Sequence, residues 1–362
     1  MRDNLCRFLY QLPWSPTLSN VTPDDLCRFL IWKDNNGKTK VHFVECPAMG
    51  KSRVNCFCPT RLSADTVDNY CHQLREIFKV EGRGETWSTQ KHGGNPACAP
   101  QIKSYVKCVK EEQAKAHVVR KQAKPLFISK LRVICLYIDR ELQRTDLTVQ
   151  ERYIFLRDQA CLKMQFFAGD RAGDLGMTKS QEIYRLTDNS GFVVMHTFGK
   201  TLRGGKYNTF IMKRCPDLSI CPVLGLDRYI SETNDMGCNL KLGYLFRPTA
   251  ENGLILSESL SYAAIYSRLK GYLSTLGIDE GETPHSLRGG CALTMFAAGT
   301  KSEGMMQHVG WHTKESVDLY TRGNVLNDGG VISKRLAEST DNKAEHLFKE
   351  FGDLGGLKSA FI

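Results

Sequence analysis

Apolar residues recur at helical spacing over Thr66 to Phe78, where Val67, Tyr70, Cys71, Leu74, Ile77 and Phe78 share one face. That repeat lets an amphipathic helix bury a stripe. A polar, Gly-rich stretch from Gly82 to Pro100 interrupts the pattern and reads as a loop. Gln101 to Lys121 restores it, with Ile102, Val106 and Val109 set among Lys103, Lys107, Lys110, Lys115, Arg120 and Lys121. This basic helical segment ends near Lys124-Pro125, where the boundary between two domains, 1–124 and 125–362, is placed. Beyond it, Glu151 to Ala168 forms a strong helix with Leu156, Ala160, Met164 and Phe167 on one face, stopped by Gly169. Strand candidates Glu182 to Leu186 and Phe192 to Phe198 flank a turn at Asp188 to Gly191. A loop from Gly199 to Lys206 then leads to a returning strand, Tyr207 to Met212. Pro222 to Glu232 and Ser257 to Leu276 read as helices, followed by short helices punctuated by Gly. The pattern predicts an α+β protein, with an all-helical N-terminal domain and a second, mixed domain built on a small antiparallel sheet.

Composition narrows the setting. With 362 residues and a hydrophobic fraction of 41%, the chain can bury two cores. No run approaches the roughly 18 apolar residues of a membrane span. Arg2, Asp3 and Arg7 interrupt the first residues, which do not resemble a signal peptide, so an intracellular protein is expected. Lys and Arg total 49 against 39 Asp and Glu, a net charge of +10 that suits a polyanionic partner and equally serves solubility. The 14 cysteines are scattered, as for reduced thiols in the cytosol or nucleus.

The densest chemistry lies late in the chain. Thr283-Pro284-His285-Ser286-Leu287-Arg288 reads as a helix start that sets His285 and Arg288 on one face, beside the unpaired amides of a helix N-terminus. Alone, such a pair is a common surface feature. Its surroundings change that. Trp311 follows Arg288 by twenty-three residues, preceded by Gly310, and Tyr320 follows Trp311 by nine. Upstream, Arg171 and Asp174 stand just after the Gly169 stop, and Lys200 lies in the turn of the predicted hairpin.

This ordered set resembles the tyrosine recombinase (phage integrase) family over roughly residues 150–325, with a spacing like that of the Cre-type recombinases. The resemblance implies a site-specific recombinase or integrase that cleaves and rejoins DNA strands through a 3′-phosphotyrosine. Arg171 and Arg288 would hold the non-bridging oxygens, and His285 would bond a phosphate oxygen or take the Tyr320 proton. Lys200 would protonate the leaving oxygen, Trp311 would donate its indole N–H, and Tyr320 would attack. Each residue also has a plainer reading. Tyr320 could be a half-buried helix residue, Trp311 core filler, Arg171 a helix cap and Asp174 a surface acid. Arg203 and Lys206 compete with Lys200 in the same loop, and His308 and His312 are taken as neighbours of the site.

The resemblance implies double-stranded DNA as partner, a homo-oligomer of two to four copies on it, and no membrane association. It requires neither metal nor cofactor. Lys103, Lys107, Lys110, Arg120 and Lys121 would line DNA as part of a clamping domain, or simply form a solvated face, and Arg203 would contact DNA from the hairpin loop of the second domain. The tail Ala344 to Phe351 would dock on a neighbouring protomer or on its own domain. Residues 45–127 look similar to proteins of eukaryotic mobile elements of the Crypton or DIRS kind, which would place the protein in the nucleus; otherwise it would be cytoplasmic. Competing readings are a type IB topoisomerase-like enzyme and a catalytically silent, domesticated DNA-binding protein. His42, Cys46, Cys56 and Cys58 could bind zinc in a third, regulatory reading. Their C-x-C is tighter than usual ligand pairs, so reduced structural thiols are the preferred reading and no metal is assigned.

Overall fold

The computed structural model describes residues 1–49, 55–118, 123–199, 202 and 207–321. The chain divides into two compact units, Met1–Lys121 and Gln122–Ile362. Among the described residues no helix is long and apolar enough to cross a membrane.

The first unit contains α1 (Arg2–Tyr10), α2 (Pro23–Asp34), a two-stranded hairpin β1 (Thr39–Lys40) and β2 (Thr60–Arg61), and α3 (Ala64–Val80). A second small hairpin, β3 (Trp87–Ser88) and β4 (Gly93–Gly94), precedes α4 (Pro100–Lys115). This second hairpin lies within the stretch read as loop. Helix α2 starts where Thr22 and Asp25 satisfy each other's backbone amides in a capping box. Leu5, Leu26, Phe29, Leu74, Phe78 and Ile102, one stripe from each helix, meet in a single core. Polar groups fix the connections. Asp34 accepts from Arg61 and from the Leu62 amide, and buried Gln113 accepts from the Ala64 amide while donating to the Leu62 carbonyl.

The second unit is built on α5 (Ile128–Glu141) and α6 (Val149–Ala168), followed by the short α7 (Ala172–Gly176). A three-stranded antiparallel sheet comes next, in order β5 (Ile183–Arg185), β6 (Gly191–His196) and β7 (Asn208–Lys213). Five helices complete the unit: α8 (Pro222–Asp235), α9 (Tyr262–Thr275), α10 (Pro284–Ala297), α11 (Ser302–Val309) and α12 (Lys314–Thr321). The α+β class read from the sequence holds. Helix α6 is buried around most of its circumference and runs through the middle of the main core, which is why it carries no clean apolar stripe. It ends at Gly169, whose φ of 63° lies in the left-handed region that glycine enters without steric cost. Helix α9 begins at Tyr262, later than the apolar pattern implied, because Ser261 accepts from the Ala264 amide and caps it there.

Candidate functional site

Five of the motif residues come together where α6, α10, α11 and α12 end or begin. The Gly169 stop turns the chain so that Arg171 is the cap of α7, where its Nη1 donates to Asp174 Oδ2 at 3.2 Å. Arg288 lies one turn into α10, buried to 2% exposure. Its Nη1 donates to the Gly169 carbonyl at 2.6 Å, while its Nε has no hydrogen-bond partner. Gly310 ends α11 with a φ of 69° and delivers Trp311 into a small core with Val309, Met305 and Val317. The Trp311 ring stacks on Tyr320 at 5.0 Å between centroids, and the Arg288 guanidinium lies 4.9 Å over Trp311 and 5.5 Å over Tyr320. Tyr320 Oη and His285 Nε2 are hydrogen-bonded.

The electrostatics follow from this packing. Burial, and then the nearby Arg288 and Arg171, hold the His285 imidazole below the ordinary histidine range, so it is neutral at neutral pH. Burial also lowers Arg288, which nonetheless keeps its charge. Two guanidiniums, one imidazole and one phenol are thereby gathered in one place. Gly199 approaches from the sheet side, where a Cβ would stand 3.2 Å from Asp174 Oδ2. Lys200, Arg203, Arg120 and Lys121 lie outside the described residues, as does Ala344 to Phe351.

Around this pocket the structure contains a buried network with no counterpart in the motif reading. Asp170 Oδ2 is 3.2 Å from His196 Nδ1, and His196 Nε2 is 2.9 Å from Thr178 Oγ1. His308 meets the Phe167 carbonyl at 2.7 Å, and the Phe210 ring separates His196 from His308. One signal for His196 was present. It shares the inward face of β6 with Phe192 and Val194, and a polar residue at such a register requires a partner.

On α4, Lys103, Lys107 and Lys110 are exposed along one face. Lys107 pairs with Glu111 at 3.7 Å and Lys110 with Asp68 at 3.0 Å, so only part of their charge faces solvent unpaired.

The first unit also forms a candidate metal centre. The β1–β2 register, Lys40 opposite Thr60, brings His42 across from the C-x-C segment. The donor atoms of His42, Cys46, Cys56 and Cys58 all lie within 4.8 Å of one another. His42 Nδ1 is 3.4 Å from Cys46 Sγ and 3.5 Å from Cys56 Sγ, close to the roughly 3.6 Å edge of a tetrahedral zinc site with one imidazole and thiolates. Lys40 donates to the carbonyls of Cys56 and Cys58 at 2.9 and 2.8 Å and fixes the ligand loop. These residues fit a zinc ion, which would tie the hairpin to the loop after it. Strand pairing supplies the proximity of these donors that the sequence spacing did not.

Comparison with known proteins divides along the chain. Residues 2–111 match the family described as the ALOG domain. Over 101 residues the chain is 34% identical to Protein LIGHT-DEPENDENT SHORT HYPOCOTYLS 5 of Arabidopsis thaliana, covering 27% of this chain and 52% of that protein. Over 103 residues it is 32% identical to Protein G1-like9 of Oryza sativa subsp. japonica, covering 28% and 34%. The chain spans about half the length, or less, of the curated relatives it matches. Among solved structures, the XerH site-specific recombinase bound to palindromic difH substrate gives a TM-score of 0.53 at 13% identity, covering 90% of this chain and 73% of that one. The Tn1549 transposon integrase in complex with transposon right end DNA gives 0.52 at 12%, covering 93% and 92%.

The likeness to recombinases is one of fold, and the sequence matches point elsewhere. The expectation of an enzymatic recombinase or integrase is therefore corrected. The ALOG match and its plant relatives, whose names describe no recombinase, overturn it.

Proposed function

We propose that this chain is a catalytically silent DNA-binding protein of the nucleus, which uses a recombinase-type fold to hold the duplex backbone. In this reading Arg171 and Arg288 bind the oxygens of one phosphate, the hydrogen-bonded pair of His285 and Tyr320 adds one neutral donor, and Trp311 packs the pocket floor. Asp174 keeps Arg171 pointed at the phosphate. The exposed lysines of α4, Lys103 first because it lacks an ion pair among the described residues, add sequence-independent backbone contacts. The observation that carries the reading is the buried Arg288, with a donor unmet inside the protein and Arg171 and His285 converging beside it. The ALOG match of residues 2–111 supports a binding role over turnover.

Fluorescence anisotropy with a labelled 30-base-pair duplex, repeated across salt concentrations, tests this. Binding should weaken steeply with salt, and Arg171→Ala should weaken it about tenfold at fixed salt. A nicked suicide duplex run on a denaturing gel should give no covalent adduct. An adduct that disappears in Tyr320→Phe overturns the silent reading, and salt-independent or absent binding overturns the DNA reading.

A further inference from the structure

Helices α5, α6 and α8, with the connection from β7 to α8, frame a cavity of about 250 Å³ away from the phosphate pocket. Lys163 lines it. This side chain is only 2% exposed, yet among the described residues its ammonium has no hydrogen-bond or ion-pair partner. Its stem passes α8 at Gly225, where a Cβ would stand 2.9 Å from Lys163 Cδ. Any larger residue there would push the lysine aside, so the two positions are built for each other. Arg228 lines the same cavity. Its Nε donates to Glu232 at 2.7 Å and its Nη1 to Asp139 at 3.0 Å, while its Nη2 makes no hydrogen bond among the described residues.

Lys163 brings to the cavity a charge that no described protein group pairs, and an anion entering there would supply the counter-charge. The charges around the cavity give that anion's valence. Arg152 and Arg228 balance Glu232 and Asp139, to which they are bonded. The charge of Lys163 is left over, and one negative charge neutralises it. Leu218 and Leu224 add apolar wall beside these donors. We propose that this cavity binds a small monocarboxylate, with its oxygens on Lys163 Nζ and Arg228 Nη2 and its hydrocarbon end against the two leucines. The assignment is independent of DNA binding.

Thermal melting of the full chain in chloride buffer at constant ionic strength provides the test, with propionate as probe and propionamide and phosphate as controls. Propionate should raise Tm by about 3–6 °C at tenfold excess over its Kd and further with the logarithm of its concentration, and propionamide should not. Lys163→Met, an apolar chain of similar length, should lose the propionate response. The proposal is overturned if propionate leaves the wild type unmoved, if Lys163→Met responds equally, or if phosphate gives the same shift. The wild-type comparison of propionate with propionamide decides the matter even if Lys163→Met fails to fold.

Discussion

Arg288 and Gly169, 119 positions apart, are joined by a 2.6 Å hydrogen bond from the guanidinium to the glycine carbonyl. The bond ties the first turns of α10 to the stop of α6, two residues before Arg171. One arginine of the pocket therefore holds the turn that presents the other. Arg288→Met should lower stability by about 1–3 kcal/mol through the unmet carbonyl. It should also weaken duplex binding beyond the tenfold expected for Arg171→Ala. Arg288→Lys restores the charge but not the fork, so it should recover binding more than stability. Urea unfolding and anisotropy on the same variants separate the two effects.

Depression of His285 below the usual histidine range gives the pH dependence a definite sign. Above the unfolded pKa of about 6.5 the imidazole is neutral in both states and costs nothing. As pH falls below that value, the unfolded chain takes up a proton that the folded pocket resists, so stability declines until the lower folded pKa is reached. His285→Gln should show a shallower decline between pH 6.5 and the acid limb. Urea midpoints measured in steps across that range check it, and an unchanged slope in the variant refutes the assignment.

The candidate metal centre makes a stoichiometric prediction. Purified protein should contain one zinc per chain, lost in Cys56→Ser and Cys46→Ser and retained in Cys71→Ser, whose thiol is buried in the helical core. Burial pushes the Cys71 thiol up to about 11, which keeps it protonated and a poor ligand. Chelation should lower the melting temperature of the wild type and leave Cys56→Ser unmoved. Atomic absorption and thermal melting provide both readings.

Much of this was legible in the sequence, for reasons that differ by element. The core helices α3 and α6 and the β6–β7 hairpin showed in apolar spacing and in their stops. Arg171, His285, Arg288, Trp311 and Tyr320 were singled out by their order and spacing, which resemble the tyrosine recombinase motif, and the structure gathers them in one place. The four candidate metal ligands were legible as residue types but not as a cluster, because the proximity of His42 to Cys58 comes from strand register rather than from ligand spacing. The role of the chain was misjudged for a further reason. A typed motif reports which groups converge, whereas the ALOG match rests on residues 2–111, where no catalytic motif was available to read.

The buried pair behind the pocket provides the last prediction. Burial raises the Asp170 carboxyl above its usual range, against the opposing pull of His196 and Arg288. A raised carboxyl pKa means that stability is greatest below the unfolded value near 4 and falls as pH rises through the folded value. Asp170→Asn keeps the shape, removes the titration and should be nearly neutral at pH 5 and stabilising at pH 8. His196→Phe does the opposite. It fills the inward position on β6 but strips Asp170 of its imidazole and Thr178 of its partner at 2.9 Å. Removing one partner of a buried hydrogen bond leaves the other unmet, so this variant should lose about 1–3 kcal/mol. The double variant Asp170→Asn/His196→Phe should recover part of that loss, because the uncompensated carboxylate is gone. A double-mutant cycle in urea at pH 8 measures the coupling, and strictly additive losses would exclude the pair as an energetic unit.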